Sequence, residues 1–299
     1  MNRPIFRSPQ DQAIRIVQRY KALGTPRHGH KDDWMIRSVR TLEHRIESLT
    51  NVARWLRTQS FVFGLERISP DMAMQYLYER SEEVQQKQLN NDRRALEVIF
   101  QKKLPLVRSQ IDEILSTRAY RVEQILEILK HQSAMHRFAS EIAFAAGLRA
   151  HEFLTMLPRH ERGPSLHRSW RPDLFHGREG ERYTVVGKGG LIREVLLPNE
   201  LAEVLESRRL AIPRNVVDRK VRYDQHYDIG GGQNWSQSFS SASKAALGWS
   251  NGAHGLRHNY AQARILELQQ AGMTYDAAQH IVSQELGHFR PGITSLYYR

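Results

Sequence analysis

The sequence contains no cysteine among its 299 residues. Disulfide bonds, thiolate nucleophiles and cysteine-ligated zinc are therefore excluded, so covalent catalysis would have to use an oxygen or nitrogen nucleophile. Long apolar runs are missing as well. The mean hydropathy is -0.58, and no stretch approaches the roughly 18 apolar residues that a transmembrane helix requires. The first residues lack the apolar segment of a secretion signal, so we expect a cytoplasmic protein with no membrane partner.

Acidic residues are too few to balance the basic ones. The chain has 44 Lys and Arg against 32 Asp and Glu, which gives a formal net charge of +12 at pH 7. Such an excess indicates a polyanionic partner, and nucleic acid is the first candidate. Charge alone leaves a second interpretation open, because some proteins carry basic faces that are merely solvated.

The first third of the chain shows helical periodicity with a basic exterior. One helix is predicted over residues 34–58, a second opens at the N-cap Ser69 followed by Pro70, and a third runs from about Val84 to Lys103. We predict that this all-helical unit contacts DNA through Arg37, Arg40, Arg45, Arg93, Arg94, Lys102 and Lys103.

The pattern loosens before a new helix near Val122. We predict an N-terminal domain over residues 1–113, a linker over 114–120 and a second domain over 121–299.

Within the second domain, a nearly all-apolar helix ends at Gly147, which is a predicted C-cap. Residues 183–198 predict a β-hairpin with Lys188 at its turn. The polar, glycine-rich residues 213–252 predict surface loops and short helices. The remaining predicted helices cover residues 254–270 and 274–286.

Four short features of the second domain suggest a chemistry. They are Gly147-Leu148-Arg149-Ala150-His151-Glu152, the hairpin residue Lys188, His254-Gly255-Leu256-Arg257-His258, and Leu286-Gly287-His288 followed by Tyr297. Each is weak alone. Their order, and the nine-residue step from His288 to Tyr297, resemble the tyrosine recombinase family of phage integrases, in particular the integrases of mobile elements.

The resemblance covers about residues 34–299 and implies a fold. That fold is mainly α with a small β-hairpin or sheet, and it combines a SAM-like helical core-binding domain with a mixed α/β catalytic domain. The resemblance also implies a double-stranded DNA substrate with attachment-type sites, four copies acting together on DNA, help from accessory DNA-bending proteins, and a nucleoid-associated prokaryotic location. Integration or excision of a mobile element is the expected task.

Phosphodiester cleavage needs positive charge at the phosphate and an activated nucleophile. Arginine stays charged and offers a planar fork that matches phosphate, so Arg149 and Arg257 are the predicted electrostatic clamp. Tyr297 is the predicted nucleophile, because a phenol becomes competent beside cations and a proton acceptor. Tyr298 is the adjacent alternative. Since only Tyr298 and Arg299 follow Tyr297, we leave open whether Tyr297 serves its own site or a neighbour's.

The other motif residues have predicted supporting roles. Lys188 would protonate the departing 5′ oxygen, and His254 and His288 would hydrogen-bond the phosphate and assist proton transfer. Glu152 follows Arg149 by three positions, so we place it on about the same helical face, where it orients a site group or pairs with an arginine.

No cofactor, ATP or metal is expected. His254 and His258 are four residues apart, but the glutamate of a zinc-binding helix is missing beside the first histidine, and His258 is interpreted as structural. Two rival functions remain. A topoisomerase-like or resolvase-like relative would share the chemistry, whereas a DNA-binding regulator without activity would use the basic helices alone.

Overall fold

The computed structural model divides the chain into two compact units, Met1–Ile114 and Leu115–Arg299. None of the helices that it describes combines the length and apolar character that a membrane crossing needs. The residues that the structure describes are 7–25, 34–59, 64–111, 118–289 and 297.

The described part of the N-terminal unit is built of α-helices around one hydrophobic core. Ser8 and Ser69 each cap a helix whose first residue is proline, a position where the missing amide proton costs nothing. The predicted start at Ser69 is therefore confirmed. The helices are α1 (Pro9–Arg19), α2 (Val39–Thr58), α3 (Pro70–Ser81) and α4 (Gln86–Phe100).

The helix predicted over residues 34–58 is shorter than expected. It begins at Val39, because the extended residue Ser38 accepts a hydrogen bond from the backbone of the helix and acts as its N-cap. Before the cap, Ile36 forms an isolated parallel bridge with Lys21 and is buried. Ile36 thus continues the apolar pattern of the sequence without continuing the helix.

The C-terminal unit mixes helices with two small antiparallel sheets. Strands β1, β2 and β3 form one sheet in that order, and β4 pairs with β5 in the other. The predicted class, mainly α with small sheets, is confirmed. The elements are α5 (Val122–Lys130), α6 (Ala134–Ala146), β1 (Leu157–Pro158), β2 (Glu181–Val186), β3 (Ile192–Leu197), α7 (Asn199–Ser207), β4 (Arg209–Asp218), β5 (Val221–Tyr227), α8 (Gly232–Leu247), α9 (His254–Gln270) and α10 (Tyr275–Glu285).

Two sequence expectations in this unit are confirmed. Helix α6 ends at Gly147, whose φ of 61° is left-handed, and a Cβ there would lie 2.8 Å from the ring of Tyr260. The predicted hairpin is β2 and β3, with Val186 opposite Ile192 and Lys188 in the turn between them. The side chain of Lys188 lies outside what the structure describes.

The prediction of loops and short helices over residues 213–252 is wrong. Strands β4 and β5 occupy the first part, and α8 is a regular helix of 16 residues. The turn between the strands places Arg219 and Lys220 at positive φ, 46° and 68°, where turn-forming sequences usually have glycine or asparagine. The apolar face of α8 is narrow, with Trp235 and Phe239 as its large buried residues.

Candidate active site

Three turns of the C-terminal unit bring the predicted residues together. Arg149 follows the end of α6, His254 and Arg257 belong to the first turn of α9, and His288 follows the end of α10. Arg257 is fully buried, and its guanidinium donates to the backbone carbonyls of Gly147 and Leu286. Arg257 therefore fastens the first and third turns to α9.

Glu152 lies at the centre of this arrangement and is fully buried. It accepts hydrogen bonds from the backbone N–H of Arg149 and from its guanidinium, both at 2.8 Å, and from Arg193 at 2.7 Å. Arg257 is 3.9 Å away. Burial raises the pKa of the Glu152 carboxyl, but the charges of Arg193, Arg149 and Arg257 outweigh it and hold that pKa well below its usual range.

The expected helical relation between Arg149 and Glu152 is not observed. Arg149 lies in a turn, and Glu152 begins a short 3-10 helix, Glu152–Thr155. The pairing itself was one of the two predicted roles and is present.

The same positive charges act on the guanidinium groups themselves. Burial, followed by the charges of Arg149 and Arg193, lowers the pKa of Arg257 to about 9. Arg257 therefore remains protonated at neutral pH. Its buried Nε has no hydrogen-bond partner among the residues that the structure describes.

His288 is held by the exposed edge of this cluster. Its Nε2 lies 2.9 Å from Nη2 of Arg149. Because a guanidinium only donates, Nε2 must be the acceptor and the ring proton must sit on Nδ1. Burial and the charges of Arg257 and Arg149 lower the pKa of His288 to about 3, which agrees with a neutral imidazole.

Tyr297 lies in this site of its own chain. Its phenol oxygen is 3.2 Å from Nε2 of His254, and its ring centroid is 4.4 Å from that of His258. Gln262 donates to the Tyr297 carbonyl at 3.0 Å. The residue is 8% exposed and belongs to the core formed by α9 and α10.

His254 is oriented toward the phenol, and the residue as a whole is exposed to solvent. The surrounding protein, and then the charge of Arg257, lower the pKa of His254 to about 3. A neutral imidazole at this position can accept the phenol proton.

The lysine hairpin packs against the centre of the site. A Cβ added at Gly187, the residue before Lys188, would lie 3.3 Å from Oε1 of Glu152 and 3.7 Å from Nη1 of Arg149. The turn that carries Lys188 is therefore adjacent to the arginine cluster.

Arg193 is the residue that sequence reasoning missed. It is 1% exposed and faces the core beside Val195 in β3. A signal was present, because two-residue alternation places Arg193, Val195 and Leu197 on one side of the strand. A cation on the core side of a strand calls for a buried anion, and Glu152 is that anion.

The site borders an open cavity of about 260 Å³. Arg149 and His254 line it together with His151, Arg219 and Ser236. Of the predicted residues, Arg149 and His254 are thus accessible to a ligand from this side.

The basic residues predicted to contact DNA from the N-terminal unit are not equivalent. Arg45 donates to the Asn91 carbonyl at 3.1 Å, and burial lowers its pKa to about 10. Arg93 donates to Glu97 at 2.5 Å. The guanidinium groups of these two residues are engaged inside the unit. DNA contact remains a prediction, and exposed residues are better placed for it. Of the remaining five, Arg37 is partly buried, whereas the exposed ones are Arg40, Arg94, Lys102 and Lys103, of which the two lysines follow the end of α4.

Comparison with known proteins rests on structure. No protein-family model matches the sequence, and no curated protein matches it. Among solved structures, XerH site-specific recombinase bound to its difH substrate aligns with 100% of this chain and 96% of its own, at 16% identity and a TM-score of 0.56.

Two integrases give similar results. A lambda integrase fragment, a dimer on a COC′ core site, aligns over 87% of this chain and 88% of its own, with 17% identity and a TM-score of 0.52. The Tn1549 transposon integrase, in complex with transposon right end DNA, aligns over 98% and 95%, with 16% identity and a TM-score of 0.51. The chain has the fold of tyrosine recombinases, and the resemblance seen in the sequence is confirmed at that level.

Proposed function

We propose that this chain is a tyrosine site-specific recombinase that cuts and rejoins DNA through a covalent link to Tyr297. One observation carries the proposal. The phenol oxygen of Tyr297 lies 3.2 Å from Nε2 of His254, at a site that also holds Arg149, Arg257 and His288. A nucleophile, a proton acceptor and phosphate-binding cations thus meet in one chain.

In the proposed reaction, Tyr297 gives its proton toward His254 and attacks the scissile phosphorus. Arg149 and Arg257 bind the non-bridging oxygens, on which negative charge develops. His288 adds a hydrogen bond from the Arg149 side. The bond from phosphorus to the 5′ oxygen breaks, and the DNA 3′ end stays on Tyr297 as a phosphotyrosine.

The departing 5′ oxygen must take up a proton. Lys188 is proposed to supply it, because the turn that carries it adjoins the arginine cluster and an ammonium is a suitable general acid. A 5′ hydroxyl of the partner duplex then attacks the phosphotyrosine and gives its proton to Lys188. The bond from phosphorus to Tyr297 breaks, the departing phenolate takes its proton back from His254, and the phosphodiester is restored. The energy of the phosphodiester bond is conserved in the phosphotyrosine, so no ATP is proposed. No metal is proposed either, because Arg149 and Arg257 supply the positive charge at the phosphate.

The substrate and assembly are proposed from the solved relatives. XerH and the Tn1549 integrase are seen with DNA, and lambda integrase as a dimer on a core site and as a tetramer on a Holliday junction. We therefore propose that the substrate is double-stranded DNA with attachment-type sites and that the chain acts on it as a homo-oligomer, a tetramer. The proposed task is integration or excision of a mobile element. The N-terminal domain, residues 1–113, would clamp DNA, joined by the linker 114–120 to the catalytic domain 121–299.

A covalent adduct assay tests the proposal. The protein is mixed with a labelled nicked duplex from the ends of its presumed element, without metal or ATP, and SDS-resistant protein–DNA adducts are measured. Wild type should form the adduct, Tyr297→Phe should form none, and Tyr298→Phe should behave like wild type. Loss only with Tyr298→Phe would move the nucleophile by one residue. A duplex that is bound without any adduct would favour the DNA-binding regulator.

A further inference from the structure

Arg193 is buried in the core, where a charged group costs free energy. It is 1% exposed at the second residue of β3, and the next residues on the same side of the strand are Val195 and Leu197. A buried guanidinium is tolerated only when its donors are matched by acceptors. The contacts of Arg193 therefore indicate what it does.

Those contacts join the turns of the candidate site. Arg193 donates to Glu152 at 2.7 Å, to the Gly147 carbonyl at 3.3 Å and to the Glu285 carbonyl at 2.6 Å. Gly147 precedes Arg149 by two residues, and Glu285 precedes His288 by three. Arg193 itself lies on β3, the second strand of the lysine hairpin.

Glu152 transmits this anchoring to Arg149. One carboxylate oxygen accepts from both the Arg149 backbone N–H and Arg193, and the other accepts from the Arg149 guanidinium. Without Arg193, Glu152 would keep its two hydrogen bonds from Arg149 but would lose the one that ties it to β3. The Arg149 guanidinium would then be paired with a carboxylate that β3 no longer holds in place.

We propose that Arg193 is a positioning residue of the phosphate site, which holds Glu152 and through it sets the orientation of Arg149. The inference rests on the proposed function, because its readout is DNA cleavage. Arg193 itself does not touch the phosphate.

A double-mutant cycle tests the path through Glu152. Single-turnover adduct formation is measured at saturating DNA for wild type, Arg193→Met, Glu152→Gln and the double variant, with each rate divided by the folded fraction from circular dichroism. Misplacing a catalytic group by about 1 Å costs on the order of 100-fold, so we expect each single variant to lose about 100-fold. The double variant should lose no more than about threefold beyond either single, since both act on Arg149. Losses that multiply would overturn the proposal.

Arg264 supplies the matched control. It is also 1% exposed and pairs with a buried glutamate, Glu285, at 3.1 Å, but it contacts neither Glu152 nor Arg149 among the described residues. Arg264→Met should lower the unfolding temperature and keep the rate per folded molecule within about threefold of wild type. An equal loss of rate in both variants would show that Arg193 acts as any buried ion pair does. That result would contradict a positioning role. If Arg193→Met does not fold, Arg193→Lys takes its place, because it keeps the charge but cannot bridge the three acceptors.

A second substrate distinguishes a defect in the positioning of Arg149 from a defect in proton donation by Lys188. When sulfur replaces the bridging 5′ oxygen, the leaving group departs without a proton, so the defect of Lys188→Ala should disappear. The defect of Arg193→Met should remain, because stabilisation of the phosphate charge is still required. Rescue of Arg193→Met by sulfur would overturn positioning of Arg149. If wild type forms no adduct on either substrate, the proposed function fails instead.

Discussion

The C-terminal unit holds two networks of buried arginine and glutamate that differ in their balance of charge. In the first, three guanidinium groups face the single carboxylate of Glu152. In the second, the carboxylates of Glu285 and Glu267 meet the guanidinium groups of Arg264 and Arg178. Positive charge is in excess in the first network and is neutralised in the second.

This difference in charge balance distinguishes a network that can bind an anion, the first, from a network that supports the fold, the second. In the second network Tyr260 also donates to Glu285 at 2.7 Å, so the buried carboxylate is well supplied with donors. In the first network, burial and the repulsion of Arg149 and Arg193 lower the pKa of Arg257 to about 9. A bound phosphate would relieve that repulsion. An uncompensated cluster of this kind is expected where an anionic ligand completes the charge balance.

The largest expected effect is that a substitution in the first network lowers activity, whereas a substitution in the second network lowers stability. Arg149→Met removes one of the three cations that face Glu152, the one whose side chain is 21% exposed. We expect the cleavage rate to fall by about 10² to 10³-fold, as on loss of one oxyanion donor, while the unfolding temperature stays unchanged or rises. Arg264→Met should do the opposite, with a lower unfolding temperature and a preserved rate per folded molecule. The measurements are adduct formation and thermal unfolding by circular dichroism.

The contrast would be broken if Arg149→Met were the less stable variant of the two. That result would mean that Arg149 supports the fold as much as Arg264 does. The excess of charge would then have no functional meaning.

The sequence predicted most residues of the candidate site but not their arrangement. Arg149, Arg257, His254, His288 and Tyr297 follow from short motifs, and the structure brings them together. Motif spacing carries no information on burial partners, so the central place of Glu152 became visible only in three dimensions.

Three other features could not be predicted, for local reasons. The sequence does not single out Arg193, because alternation shows which side a residue faces but not what lies opposite it. The β4–β5 hairpin has a turn of Arg219 and Lys220 at positive φ, without the glycine or asparagine that announces such a turn. Helix α8 hides its period because few of its buried residues are large and apolar.

A smaller effect should separate the networks by ligand binding. Inorganic phosphate should stabilise wild type, since an anion that binds only the folded protein adds stability of about 1.4 kcal/mol at ten times its dissociation constant. The increase in unfolding temperature should be lost in Arg149→Met and kept in Arg264→Met. Sodium chloride at equal ionic strength controls for screening. Equal stabilisation of both variants would place the phosphate elsewhere.

The smallest effect is a dependence on pH that only the first network should produce through His288. Burial and the charges of Arg257 and Arg149 lower the pKa of His288 to about 3, whereas in the unfolded chain the imidazole titrates near 6.5. Between these values the unfolded chain binds a proton and the folded one does not, so stability falls as the pH drops from about 6.5 toward 3. His288→Gln keeps an acceptor for Arg149 but cannot titrate, and its unfolding temperature should fall less over this range. Arg149→Met should also reduce the loss, because one cation that opposes protonation is gone. Parallel curves for wild type and both variants would show that the excess charge does not act on His288.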